Sequence, residues 1–355
     1  ADDALLSGNT FVNNVNGVRK SSTAEVTNSE ISGNSFADGI YGMTVYASTA
    51  GGSFDGLTID GNSFTSLSEK GMYFEELSNA MLTGNTFDDV GNFGRISPPF
   101  GGTQGEFGQA IDINLKYGTY SDVSFIDTVI TNSGHSSGGG STGLFGGAIG
   151  VKTRDDGGTY GANPADFTGQ IVFQGGSIDG TSTGFRVGEP GKDNLGPDVL
   201  IDGVTIANAT VTDVENATDP VNGGTTTVNL SATQGSFDAS ASQAPVDVTG
   251  TAAAETLTTG AGDDTIDGEG GNDTIDGGDG HDVAEIAGNF ADATVDIGAG
   301  TVTSTDDGTD SFSNIEVLRF ADQDVLIVGN GGYATIQEAV DDAAPGATIY
   351  VAAGS

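Results

Sequence analysis

The chain has 355 residues, 59 of them glycine and none of them cysteine or tryptophan, and its 50 acidic residues against 10 basic ones give a net charge of −40. That excess of negative charge excludes nucleic-acid binding through phosphates, and no apolar run reaches the roughly 18 residues of a membrane helix. Without cysteine there are no disulfides and no thiolate metal sites.

The hydrophobic residues come in short packets separated by Gly, Asn, Asp, Ser and Thr, the pattern of many short strands and tight turns. A signature recurs as Leu6-Ser-Gly-Asn-Thr-Phe11, Ile31-Ser-Gly-Asn-Ser-Phe36, Ile59-Asp-Gly-Asn-Ser-Phe64 and Leu82-Thr-Gly-Asn-Thr-Phe87. Its glycines, Gly8, Gly33, Gly61 and Gly84, lie 23 to 28 residues apart. Such a period marks a solenoid, whose coils bury their core only against neighbouring coils. Residues 171–178 and 199–206 are degenerate copies with the same apolar spacing. The pattern starts at Leu5-Leu6 without a capping helix, so the solenoid, placed at residues 1–210, is expected to be N-terminally truncated.

Strands that alternate in and out run between these copies, with Met72/Phe74, Ile111/Ile113/Leu115, Ile149/Val151 and Phe185/Val187 turned inward. Aligning them gives an outward column of Tyr73, Asp112, Gly150 and Arg186, with Glu75, Asn114 and Lys152 beside it and then Lys116 and Arg154. Basic residues concentrated on one face of an acidic chain make a candidate surface for an anionic ligand. The alternative is a solvated ladder whose opposite charges pair across coils. His135 falls in a Ser/Gly-rich loop, and neither Gly101-Gly102 nor Gly138–Gly140 is followed by the Lys-Ser/Thr of a phosphate loop.

Residues 211–246, rich in Thr, Ser, Ala and Gly, read as the exit of the solenoid and a linker, with a short strand around Thr227–Leu230. Residues 247–328 carry a second periodicity. Three nine-residue units begin at Thr259, Gly268 and Gly277, and an opening unit at Gly250 has Glu255 where the others have Asp264, Asp273 and Asp282. Between Asp263 and Asp282 there are eight acidic residues in twenty and no Lys or Arg. Such a block repels itself and needs a counter-cation to fold. The glycines let the turns curl so that carbonyl and carboxylate oxygens converge, a hard-oxygen environment suited to Ca²⁺. Residues 293–328 then read as a run of strands, and 329–355 as a helix with Ile336, Ala339, Val340 and Ala343 on one face followed by a strand, the expected cap and first strand of a following β-helix.

Two resemblances organise these observations. The Gly-Asn-Thr-Phe repeat resembles the right-handed parallel β-helix of the pectate-lyase-like superfamily. The nine-residue units resemble the Gly-Gly-x-Gly-x-Asp-x-U-x calcium repeat of RTX proteins. The resemblance implies an all-β chain, a parallel β-helix followed by a parallel β-roll, with Ca²⁺ as its cofactor. It implies Asp264, Asp273 and Asp282 as calcium ligands, with Gly260, Gly262, Gly271, Gly278 and Gly280 shaping the turns. Because each nonapeptide forms a half-coil in that family, Asp264 and Asp282 should share one row and Asp273 should lie in the other. The order of modules also resembles secreted mannuronan C5-epimerases, but their Tyr/Asp-Pro-His catalytic cluster is missing, so no catalytic residue is assigned.

Three functions follow as expectations. The first is a secreted, calcium-stabilised structural or adhesive β-solenoid of a bacterial surface or filament protein, joined in tandem or end to end with copies of itself. The second is a lyase or epimerase of anionic polysaccharide, and the third a glycan-binding module without catalysis. Both of the latter would use the face of Tyr73, Asp112, Lys116, Lys152, Arg154 and Arg186.

Overall fold

A Gly-Asn pair between two three-residue β-segments fixes how the chain bends in the first half. The computed structural model describes residues 1–92, 108–135, 146–192 and 194–352, and divides into two compact units, Ala1–Gly224 and Thr225–Ser355. The glycine runs Gly101-Gly102 and Gly138–Gly140 lie outside the described residues. Both units are all-β and solenoidal, built from parallel sheets.

In the first unit each signature becomes strand, turn, strand. Leu5–Ser7 and Thr10–Val12 flank Gly8, Glu30–Ser32 and Ser35–Ala37 flank Gly33, and Thr58–Asp60 and Ser63–Thr65 flank Gly61. These glycines have φ of +59 to +66°, left-handed values that a side chain makes costly. Successive coils pair in parallel with no slip in the signature, so Leu6, Ile31, Ile59, Leu82 and Phe125 form one inward row. Phe11, Phe36, Phe64 and Phe87 form another, with ring centroids 4.7–4.9 Å apart. A third row carries Val18, Met43, Met72, Ile111, Ile149 and Phe185 in register, on strands that join those of the Phe row through Ser177–Gly188. It also explains a glycine that no turn requires: a Cβ on Gly42 would lie 2.4 Å from the Phe64 ring and 2.6 Å from a backbone oxygen.

The asparagines of the signatures form a ladder that runs from exposed Asn9 to buried Asn34, Asn62 and Asn85. Asn9 donates its side-chain amide to Asn34 Oδ1, Asn34 to Asn62 and Asn62 to Asn85, each at 3.0 Å. The same oxygens accept the backbone N–H of the preceding asparagine at 2.9–3.0 Å. Asn34, Asn62 and Asn85 are buried yet bonded at both ends of the amide, which is what burial of such a group demands.

The second unit alternates between two sheets every nine residues. One holds Thr226–Asn229, Val246–Thr251, Thr265–Glu269, Val283–Glu285 and Val317–Arg319, stacking Val228, Val248, Ile266, Ala284 and Leu318. The other holds Ser236–Asp238, Thr256–Thr258, Thr274–Asp276 and Gly308–Ser313, stacking Phe237, Leu257, Ile275 and Phe312. Antiparallel strands follow in both sheets: Asp324–Val328 folds back on Val317–Arg319 and carries Thr348–Val351 in parallel at its far edge, and Thr294–Asp296 with Thr301–Ser304 folds back on Gly308–Ser313.

Helix Ile336–Asp342 starts with a capping box between Thr335 and Glu338. Its expected four-residue apolar face is only half used. Ala339 is fully buried against Val283, Val317, Leu326, Val328 and Tyr333, and Ala343 packs beside it. Ile336 and Val340 are exposed, because two turns of helix offer the small surface beneath them only their alanine edge.

Candidate metal centre and charged cleft

The nine-residue units set their acids in two rows. Strand Thr265–Glu269 lies beside Val283–Glu285, so Asp264 and Asp282 stand in one row, while Asp273 stands in the other with Glu255. One hydrogen bond repeats along both rows: the carboxylate of a layer accepts the backbone N–H of the same position in the layer before. Val246 donates to Asp264, Asp264 to Asp282 and Glu255 to Asp273, at 2.8, 2.9 and 2.8 Å. Each carboxylate is thereby fixed through Oδ1. The second oxygens of Asp273 and Asp282 are buried and, among the described residues, have no hydrogen-bond partner.

The glycines make that stacking close. A Cβ on Gly278 would stand 2.0 Å from the Gly260 carbonyl oxygen, one on Gly280 2.0 Å from that of Gly262, and one on Gly271 2.4 Å from that of Ala253. Their backbones stand at φ +91, +152 and +140°, which a side chain makes costly. Gly268 and Gly277, the first residues of their units, leave room for the free oxygens, since a Cβ on either would come within 2.6 Å of Asp273 Oδ2 or Asp282 Oδ2. Thr259 takes that position in its own unit. Its hydroxyl donates to the Gly277 carbonyl at 2.7 Å, and Asp264 Oδ2 accepts the Gly260 N–H at 3.3 Å, so Asp264 keeps no free oxygen.

Burial dominates the electrostatics here. It pushes Asp264 and Asp273 up to about 6 and Asp282 up to about 8. The sole Lys or Arg of the second unit, Arg319, pairs with Glu285 and Asp324 instead. A buried, partnerless carboxylate oxygen in each row, beside closely stacked turns, fits a hard divalent cation. Among the described residues no three acidic or histidine side chains converge, so such an ion would take much of its coordination from the backbone. Calcium would supply positive charge, and the chain's own part is to hold the oxygens apart and dry.

Near this row lies a contact that sequence reasoning missed. The His281 ring, in the third unit, meets the Tyr333 hydroxyl at 2.7 Å and Asp342 Oδ2 at 3.0 Å. Nothing in the local sequence of His281 points to partners 52 and 61 residues away.

On the first unit, Tyr73, Asp112, Gly150 and Arg186 do stand in one register column, with Asn114 opposite Lys152. The column is not solvated. Asp112 is 1% exposed and Arg186 5%, because neighbouring coils bring long side chains over them. Asp112 pairs with Lys70, Lys116 with Glu75, Lys152 with Glu189 at 3.7 Å, Arg154 with Asp156 at 2.6 Å and Arg186 with Glu215 at 2.7 Å. The Tyr73 hydroxyl donates to Glu75 at 2.7 Å and accepts from Asn114 and Lys116. These groups surround a cleft of about 200 Å³ over Asp112, Asn114, Lys152, Arg154 and Arg186; Tyr73 and Lys116 are not in its lining. Two acceptors there, Asp112 Oδ1 and Asn114 Oδ1, have no partner among the described residues. Burial raises Asp112, but Lys70, Lys152 and Lys116 outweigh it and hold the carboxyl below its ordinary value, while burial and then Asp112 and Glu75 push Tyr73 far up.

Comparison with protein families gives one match: residues 249–284 correspond to four copies of the RTX calcium-binding nonapeptide repeat, including the opening unit with Glu255. No curated protein and no solved structure matches the chain.

Proposed function

We propose that this is an extracellular, calcium-stabilised β-solenoid with a structural or adhesive role in a bacterial surface protein. In this reading residues 1–210 are the solenoid body, 211–246 its exit, 247–328 the calcium roll and 329–355 the start of a further β-helix, repeated in tandem along the parent protein. The observation that carries it is the pair of buried, partnerless oxygens on Asp273 and Asp282, in turns that match the calcium repeat. Calcium is scarce inside cells and abundant outside, so a roll held open by its own carboxylates would order only after export. Titrating calcium into the chelated chain while following circular dichroism tests this: β-structure of residues 250–290 should appear with calcium, and full structure in chelator would refute it.

A second reading rests on the cleft. Its partnerless acceptors suit hydroxyl donors, and its Lys and Arg suit carboxylates, so an anionic polysaccharide is the ligand it would take. Asp112 held ionised and Tyr73 held protonated favour binding over proton transfer. Binding of alginate or pectate, lost on Arg154→Ala and without new unsaturated uronate, would establish a glycan-binding module. Turnover would make it an enzyme.

A further inference from the structure

We propose that residues 304–310, outside the matched repeats, form an additional calcium-binding turn that closes the row of Glu255 and Asp273. The proposal rests on the calcium reading of the repeats and extends it to a segment in which no repeat is matched.

The segment re-enters the roll after the hairpin of Thr294–Asp296 and Thr301–Ser304. Its acid therefore lies 37 residues from Asp273, whereas Asp273 lies 18 from Glu255. In space the interruption vanishes. Asp310 accepts the Asp273 N–H at 2.8 Å, the same bond that Asp273 makes with Glu255. Phe312, two residues on, stands in register with Ile275, which is two residues after Asp273. Gly308 has φ +96°, and a Cβ on it would lie 1.9 Å from the Gly271 carbonyl oxygen, as Gly278 does over Gly260. Thr305-Asp-Asp-Gly-Thr-Asp-Ser-Phe-Ser313 thus keeps the fourth, sixth and eighth positions of the nine-residue pattern and lacks its first two glycines.

The pointer to an ion is Asp273 Oδ2, one of the two oxygens that carry the calcium reading, on a residue 1% exposed and, among the described residues, without a partner. Asp307 and Asp310 are also buried, with no Lys or Arg paired to them among the described residues. Asp307 Oδ2 accepts the Ala287 N–H and Asp310 is held by Asp273, so the acids are fixed in place before any ion arrives. The three carboxylates do not converge on one point, so Asp273 and Asp310, joined through one amide, would supply charge at the stacked turns, with Asp307 nearby, and the turn carbonyls would supply most of the oxygens. The other row ends differently: Glu316 accepts the Asp282 N–H at 2.8 Å, but its turn has no glycine and buries Ile315.

Calcium stoichiometry of the whole chain, from isothermal titration and equilibrium dialysis, tests this. Asp310→Asn and Asp307→Asn each keep an oxygen for the amide they hold, and each should bind one ion fewer than the parent chain. Asp282→Asn, in the matched repeats, should also lose an ion. Full stoichiometry in both Asp307→Asn and Asp310→Asn, with loss in Asp282→Asn, overturns the proposal while leaving the calcium reading intact. No calcium bound by the parent chain overturns both. Circular dichroism in saturating calcium checks that each variant folds, and if Asp310→Asn does not, Asp307→Asn decides.

Discussion

The buried asparagines show how much one residue can hold. Asn62 donates to Asn85 and to the Ile31 carbonyl, and accepts from both nitrogens of Asn34. Asn62→Ala should cost about 2–4 kcal/mol, because it strands donors on one neighbour and a carbonyl on another. Urea unfolding of the first unit would measure it, and a loss under half a kcal/mol would contradict the role. The acids of the roll behave in the opposite sense. A carboxyl whose folded value is raised binds its proton more tightly folded than unfolded. Its stabilisation is present at low pH and lost as pH rises through the folded value. For Asp264, Asp273 and Asp310, raised from 3.8 to about 6, and Asp282, raised to about 8, the calcium-free roll should gain stability as pH falls from about 8 towards 4. Their neighbours Glu316 and Asp307 are raised as well, with His281 lowering Glu316 as a minor influence, so the direction is shared. Thermal melts in chelator would follow the trend, and saturating calcium should flatten it.

At the scale of elements, the short helix is held by one hydrogen-bonded corner and one alanine. His281→Ala removes the ring that meets Tyr333 and Asp342, and should loosen Ile336–Asp342 by about 1 kcal/mol. Amide exchange would show it as faster exchange in the helix with Val317–Arg319 unchanged. The coils and the nine-residue units were legible in the sequence because each repeats a backbone requirement: Gly33 must be left-handed, and Gly278 must face a carbonyl. The row assignment of Asp264 against Asp273 follows from a period that alternates sheets. Three features were not legible. The turn at 304–310 lost its phase to a hairpin, His281 finds its partners only through the fold, and the covering of Asp112 depends on side chains from other coils. Periodicity reports what every coil shares, and is silent on what a single coil brings.

At the scale of the whole molecule, charge and calcium are one question. With a net charge of −40 the chain resists compaction wherever its acids are buried without a cation. An ion that binds the folded roll and not the unfolded chain stabilises by mass action, so melting of the second unit should climb with the logarithm of calcium concentration. The first unit, whose buried charges are already paired with Lys and Arg, should melt at a temperature that calcium leaves alone. A differential scan with two transitions, one moving and one still, is the expected record.

The repeating bond between layers has a further consequence, for time rather than for energy. Every acid is steadied by the amide of the layer before it, and every such amide is satisfied by the layer after it, so an unfinished roll always has its loose end on the N-terminal side of what remains to be built. In the row of Asp264 and Asp282 the antiparallel return of Asp324–Val328 onto Val317–Arg319 closes through neighbours in sequence, which makes it the segment of that row quickest to form. Order should then spread backwards, from Glu316 to Asp282 to Asp264, each layer offering the next a ready acceptor. Pulse-labelling during refolding would read that sequence of protection directly, and protection arriving first at Val246 would reverse it. A chain that emerges N-terminus first would leave the roll slack until this segment follows it out, and the roll would then set like a zip drawn from its far end.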